Sequence, residues 1–379
     1  MNAIHALYQL SYDPNRTGAG IYGAPRVRSK LFSRTRRFFA VASPVCFEVR
    51  GTAPYFRAVS EPLPSITVLI PAPPQHPEVK AAAAARRFDY PPAKLEILIA
   101  RGRQPSVQRN TALRAARGEL IYFLDDDSVA PPDTLRRAVA HFRDPAVKLV
   151  GGPNLCPPNA PVLEQVFALV LASWLAFGPS RARYTPVGVV RATSEKELIL
   201  CNLLGRRDAL LELGGFDEKL YPNEENALMD ELQKRGGKLL YDPALVVHRR
   251  PRRSLRSFAR MLRTYGRGRA EQFRVKPTVG SAPNFVPPLF CAYLLALPFL
   301  PPLALVPLAV YALAVLAQTA VLVPQGGVGR ALAAMPLMVL AHVMYGLGFW
   351  RGLFTRLRRP DPAAPLPVTL ERVTPEPCP

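Results

Sequence analysis

Residues Phe285–Val323 contain no charged side chain and are almost unbroken apolar. At about 1.5 Å of rise per residue, a run of this length reaches twice across a hydrocarbon core of ~30 Å. Helices satisfy their own backbone in lipid, so the run predicts membrane helices rather than buried helices of a soluble domain. Pro301-Pro302 marks the expected turn, and Ala331–Trp350 is a further span-length run. Arg351, Arg356, Arg358 and Arg359 follow it. The positive-inside rule expects them in the cytoplasm. Three crossings from a cytoplasmic domain would put them outside, so either one apolar segment is re-entrant or the rule fails. Val162–Phe177 is also apolar, but it is short and holds Glu164 and Gln165, which predicts a core or interface helix.

Upstream, strand and helix signals alternate. Ser65–Pro71, Leu95–Ala100, Leu120–Leu124 and Val147–Val150 read as buried strands, and Lys238–Val247 as a strand pair bent around Asp242-Pro243. Helices are expected over Val79–Arg87, Ser106–Arg117 with Ser106 as N-cap, Pro131–Phe142, Arg206–Leu213 and the stretch after Asn223. Alternation at this spacing predicts a parallel α/β sheet. Ser254–Phe273 reads as a basic amphipathic helix with Leu255, Phe258, Leu262 and Tyr265 on one face.

The 379 residues carry a formal net charge of +21, which calls for an anionic partner. The apolar tail argues against nucleic acid, because lipid headgroups are a nearer anion for the arginines. The five cysteines are scattered without a C-x-x-C, which fits buried thiols in a reducing compartment. Residues 1–60 carry no periodic element and read as a basic arm.

The apolar strand Leu120–Leu124 ends in Asp125-Asp126-Asp127. Ligands of open α/β sheets bind at the carboxyl ends of strands. Three adjacent acids there predict a divalent metal with a phosphate-bearing ligand, against the plainer reading of a solvated acidic turn.

The chain resembles the family 2 inverting glycosyltransferases with a cytoplasmic GT-A domain followed by membrane helices. The matching pieces are S-I-T-V-L-I-P at 65–71, Q-R-N-T-A-L-R-A-A-R-G-E at 108–119 and F-L-D-D-D at 123–127. They continue with L-G-G-F-D-E at 213–218, N-E-E-N at 223–226, Y-D-P-A-L-V-V-H at 241–248 and Y-G-R-G-R at 265–269. The resemblance covers about residues 63–355. It implies a GT-A, Rossmann-like nucleotide-sugar-binding domain and a D-x-D metal site at Asp125 and Asp127, with Mg²⁺ or Mn²⁺ as the oxygen-seeking cation. His248 matches a position that supports metal or diphosphate binding in some relatives. Glu225 takes the general-base position, with Glu224 its neighbour; adjacent carboxylates raise each other's pKa. Arg109 and Asn110 match the pair that frames the nucleotide. Arg263 and Tyr265–Arg269 resemble the interfacial segment that closes over the donor. Asp217 reads as structural.

One departure stands out. Relatives commonly end the second strand in an Asp-rich turn, whereas this chain has L-I-A-R-G-R at 98–103, so Arg101 or Arg103 is expected to meet a phosphate instead. The helix also has R-M-L-R-T-Y where processive synthases carry Q-x-x-R-W, which favours single-sugar transfer. The expected organisation is an arm at 1–60, the catalytic domain at 61–252, an interfacial helix at 253–283, transmembrane helices at 284–355 and a Pro-rich tail at 356–379. The expected activity is metal-dependent transfer from a nucleotide sugar to a lipid-linked or polysaccharide acceptor at the inner membrane. The alternative is a non-catalytic scaffold on the same fold.

Overall fold

The computed structural model describes residues 63–75, 77–218, 220, 223–275, 277, 279–356 and 367–376. The basic arm lies outside the described residues. In chain order the elements begin with β1 (Ile66–Ala72), α1 (Lys80–Ala85), β2 (Leu95–Arg101), α2 (Pro105–Ala115), β3 (Leu120–Leu124) and α3 (Thr134–Val139). Next come β4 (Val147–Gly151), β5 (Asn154–Leu155), α4 (Val162–Ala172), α5 (Trp174–Phe177), β6 (Arg191–Ala192) and β7 (Asn202–Arg206). The domain closes with α6 (Arg207–Glu212), α7 (Glu224–Lys234), β8 (Lys238–Tyr241) and β9 (Val247–His248). After it come α8 (Leu255–Val275), α9 (Val286–Ala296), α10 (Leu305–Gly326), α11 (Val328–Phe354) and β10 (Thr369–Val373).

An eight-stranded sheet in the order β10-β2-β1-β3-β7-β4-β8-β6 forms the centre. Every residue of β1 is buried, as a central strand covered on both faces must be. One apolar cluster fills each face, with Val68, Tyr122 and Leu135 on one side and Leu69, Phe123 and Met229 on the other. The α/β expectation holds, but the sheet is mixed. β7 runs antiparallel between β3 and β4, and alternation of strand and helix signals did not reveal it. Its first residue, the buried Asn202, accepts from Tyr122 Oη at 2.8 Å and donates to the Leu245 carbonyl at 2.6 Å.

Three local expectations need correction. Ser106 is not the N-cap: Pro105, with its preset φ, starts α2 one residue earlier from Gln104. Leu255 is 48% exposed, so it leaves the apolar face that Phe258 and Leu262 make. Val162–Phe177 is two helices, broken at Ser173.

That break sits among the apolar helices. Phe167 of α4 stacks on Phe258 of α8, with ring centroids 4.2 Å apart, in a cluster that includes Val315 and Met338. The backbone freed at the break finds partners there. Leu175 N–H donates to Gln318 at 3.0 Å, and His342 Nε2 donates to the Leu175 carbonyl at 2.9 Å. Tyr311 donates to His342 Nδ1 at 2.7 Å, which fixes that tautomer. In hydrocarbon, unsatisfied groups of this kind would cost several kcal/mol each.

Ser281–Phe299, Pro302–Gly326 and Val328–Phe354 are long and apolar enough to cross a membrane. The expected turn at Pro301-Pro302 separates the first two. Helices α8 and α11 pack through small residues: a Cβ on Gly348 would lie 2.0 Å from the Arg263 carbonyl.

The chain then returns. β10 pairs antiparallel with β2 over Thr369–Val373, and Glu371 bonds Arg101 at 2.8 Å. The tail therefore covers an edge that would otherwise stand open. The chain on both sides of the three-helix segment is thus tied to the sheet domain, through the Asn223 contacts of α8 on one side and through β10 on the other. Helices α4 and α5 likewise leave from and return to the domain.

Single cysteines placed at the exposed Asp133 and Thr369, in a chain lacking its native five, should react with an impermeant maleimide from the same side of sealed vesicles. Labelling from opposite sides would contradict this topology.

Candidate functional site

β3 brings the acids to the sheet's carboxyl edge. Asp125 follows Leu124 directly, and its carbonyl accepts from Ser128 N–H at 3.0 Å. The Asp126 carbonyl accepts from Ala81 N–H at 3.0 Å, so α1 anchors the turn. The Asp125 side chain is 22% exposed and that of Asp127 is 45% exposed.

Arg109 projects from α2 and joins two halves of the site. Its Nη2 donates to Asp125 at 3.0 Å and its Nη1 to Glu224 at 3.2 Å. Both side chains of the latter pair are nearly enclosed, at 8% and 3% exposure. Asn110 has a different task. Its amide donates to the Phe216 carbonyl at 2.8 Å and to Glu218 at 2.9 Å, and its oxygen accepts from Phe216 N–H at 2.8 Å. It shapes the G-G-F-D-E turn, where Gly215, at φ 82°, leaves room for the Asn110 side chain.

Glu224 and Glu225 open α7, where the helix dipole favours carboxylates. Burial pushes the Glu224 carboxyl up, the charge of Glu225 adds to this, and Arg109 opposes it; the result is a pKa of about 7. Asn223 precedes them at φ 142°, a left-handed value rare outside glycine. Its side chain donates to the Gly268 carbonyl at 3.0 Å and to Gln272 at 2.8 Å, both on α8. Its N–H donates to Glu224 at 2.9 Å. These bonds hold a strained residue in place and tie the start of α7 to the helix that faces the apolar segment.

Arg249 lies between the two expected metal ligands. Its Nη1 is 2.7 Å from Asp125 and its Nε 2.6 Å from Asp127. Burial alone would raise the Asp125 carboxyl, but Arg249 and then Arg109 hold it below the usual carboxylate range. His248 is half-buried on β9, its backbone paired with Val129, and burial lowers its pKa so that the neutral ring is favoured. Among the described residues no three His, Cys, Asp or Glu side chains gather as a ready cation site. Asp125 and Asp127 fit Mg²⁺ or Mn²⁺ in donor type, and the half-exposed Asp127 is reachable. A cation would take the place that the Arg249 guanidinium fills.

Arg101 pairs with Glu371 of the returning strand. Arg263 is exposed on α8, with its backbone against Gly348, and does not line the cleft beside the acids. That cleft, of about 440 Å³, runs from Asp127 and Arg249 past Arg252 to Leu171 of α4 and Met261 of α8. Sequence reading assigned no role to Arg249 or Asn223. Arg249 follows His248 directly, and Asn223 stands inside the quoted N-E-E-N, but only the folded chain shows what each touches.

Replacing Arg109 with Ala would leave Asp125 and Glu224 without their shared cation, which should destabilise the fold by about 3–5 kcal/mol in denaturant titration. The raised Glu224 pKa has a signed consequence. The neutral carboxyl is favoured in the fold, so this contribution is complete below the unfolded value near 4.5 and is lost as pH rises through about 7. The melting temperature of the wild type relative to Glu224→Gln should therefore fall between pH 5 and pH 8; a constant difference would contradict the shift.

A model of "Glycosyl transferase family group 2" matches residues 120–348. The pre-mycofactocin glycosyltransferases of Mycobacterium tuberculosis strains CDC 1551 and H37Rv are each 29% identical over 181 residues, covering 47% of this chain and 37% of theirs. The chain thus aligns with little more than a third of the length of these relatives. Among solved structures, the mannosyltransferase PcManGT from Pyrobaculum calidifontis, in complex with GDP-Man and Mn²⁺, is 20% identical, with a TM-score of 0.48 over 77% of this chain and 87% of that one. S. aureus TarS 1-349, in complex with UDP-GlcNAc, is 12% identical, with a TM-score of 0.36 over 76% of this chain and 90% of that one.

Proposed function

We propose that this chain, which belongs to glycosyl transferase family group 2, moves a sugar from a nucleotide-sugar donor to a lipid-linked or polysaccharide acceptor, with inversion, at the inner membrane, with its catalytic domain cytoplasmic. The observation that carries the reading is the Arg109 bridge. One guanidinium spans from Asp125 at the end of β3 to Glu224 at the start of α7. The acids suited to a diphosphate's cation and the acids suited to proton transfer therefore share one small site.

In this mechanism Asp125 and Asp127 would hold Mg²⁺ or Mn²⁺, which when bound would supply Lewis acidity for the departing diphosphate. Arg249, released from the two aspartates, would meet diphosphate oxygens. Glu225, half-buried beside the enclosed Glu224, takes the proton of the acceptor hydroxyl as its oxygen attacks the anomeric carbon. The new bond from carbon to acceptor oxygen forms while the bond to the diphosphate breaks, and the electron pair leaves with the diphosphate. Glu224 is oriented beside Glu225 by Arg109 and by Asn223 N–H.

The scaffold reading draws on one observation, that Arg249 already fills the notch between Asp125 and Asp127. It predicts no turnover with any donor. The enzyme reading predicts Mg²⁺- or Mn²⁺-dependent hydrolysis or transfer with at least one nucleotide sugar in a panel. Activity should fall by at least about 100-fold in Asp127→Ala and in Glu225→Gln, the range expected for loss of a charge-stabilising group or a general base. Full activity in both variants would remove the site assignment.

A further inference from the structure

The cleft beside Asp127 is two-sided, and its two sides ask for different chemistry. One side is basic. Arg249 to Arg253 pass along it, interrupted only by Pro251. Two of these four arginines are committed: Arg249 to Asp125 and Asp127, and Arg250 to Glu164 of α4. Arg252 and Arg253 are exposed and form no ion pair among the described residues. Asn154 also lines the cleft, and its Oδ1 is buried without a hydrogen-bond partner.

The other side is apolar. Ala168 and Leu171 come from α4, and Met261 and Tyr265 from α8. These two helices also build the cluster that joins Phe167, Leu262, Val315 and Met338, so the apolar wall continues into the segment suited to lipid. A neutral glycan would leave both free guanidiniums unused and would meet an apolar wall it cannot wet. A free phosphate would use the arginines and leave that wall bare. An amphiphile with an anionic head and an alkyl chain uses both.

Resting on the transferase reading above, we propose that this cleft is the acceptor site and that the acceptor is a lipid with a phosphate or diphosphate head. The head sits at Arg252 and Arg253, and the chain runs along α4 and α8 toward the bilayer. The Asn154 carbonyl oxygen, an acceptor of hydrogen bonds, faces a hydroxyl of the bound molecule.

The test is calorimetry on the full chain in phosphatidylcholine nanodiscs, with hexyl phosphate, inorganic phosphate and hexanol as probes. Hexyl phosphate should bind at least about tenfold more tightly than either of the others, because only it uses both sides. The double variant Arg252→Gln, Arg253→Gln should lose about tenfold for hexyl phosphate. Ala168→Trp, which fills the apolar side, should weaken hexyl phosphate and leave inorganic phosphate unchanged, so a misfolded arginine variant still leaves a deciding arm. Equal affinity for hexyl and inorganic phosphate would overturn the proposal, as would unchanged binding in the variants. Loss of hexyl phosphate binding when phosphatidylglycerol is added to the disc would also overturn it, by showing a site for ordinary headgroups. UDP and GDP titrated into the same preparation report on the donor site separately. Their failure to bind would defeat the transferase reading without touching the cleft.

Discussion

Two guanidinium groups organise the charged centre of this molecule. Arg109 joins Asp125 to Glu224, and Arg249 joins Asp125 to Asp127. Three carboxylates at the end of a buried strand and two at a helix start would repel one another in a poorly hydrated space. With the two arginines in place, Glu224, Asp125 and Asp127 join them in a chain of alternating charge. The roles of the two cations differ. Arg109 is enclosed and spans two parts of the site, whereas Arg249 lines the cleft beside Asp127. Asp125 is held well ionised and Glu224 close to neutrality by their surroundings, and this separation suits two acids with different tasks.

The apolar helices are part of the same construction. Helix α8 binds the strained Asn223 that starts α7, packs against α4 through Phe258, and meets α11 through a glycine contact too close for a Cβ. A displacement of α8 would therefore reach Glu224 directly. The last strand closes the circuit by pairing with β2, so the sheet is fastened at both ends of the apolar segment. The polar groups Gln318 and His342 are retained in apolar helices because they complete the backbone of the α4–α5 break.

Much of this was legible in the chain. Short apolar runs gave β1 to β4 at nearly their observed bounds, and the apolar tail gave the three long helices. Proline and glycine punctuation gave the turn at Pro301-Pro302 and the end of α6. What failed to show depends on contacts distant in sequence. β7 is five residues whose antiparallel place between β3 and β4 depends on partners far away in sequence. β10 carries two charges in five residues, T-L-E-R-V, and is a strand where its backbone pairs with β2, with Arg101 and Glu96 meeting those charges. Arg101 looked like a phosphate ligand from its place after an apolar strand, and in the fold Glu371 meets it. Asp125 and Asp127 were expected from their acid pattern, and Glu224 and Arg109 from the family resemblance, but the ion pairs that couple them were not, because a pair between positions 125 and 249 leaves no local signal.

The central claim is that the notch between Asp125 and Asp127 accepts a divalent cation together with a nucleoside diphosphate in place of Arg249. Titration calorimetry of UDP and GDP into the wild type and into Asp127→Ala, with Mn²⁺ present or chelated, tests it most directly. The account predicts binding of at least one nucleotide by the wild type with Mn²⁺, at least about tenfold weaker binding with chelator, and no Mn²⁺ effect in Asp127→Ala. Wild-type affinity that is indifferent to Mn²⁺, or an intact Mn²⁺ effect in Asp127→Ala, would contradict it.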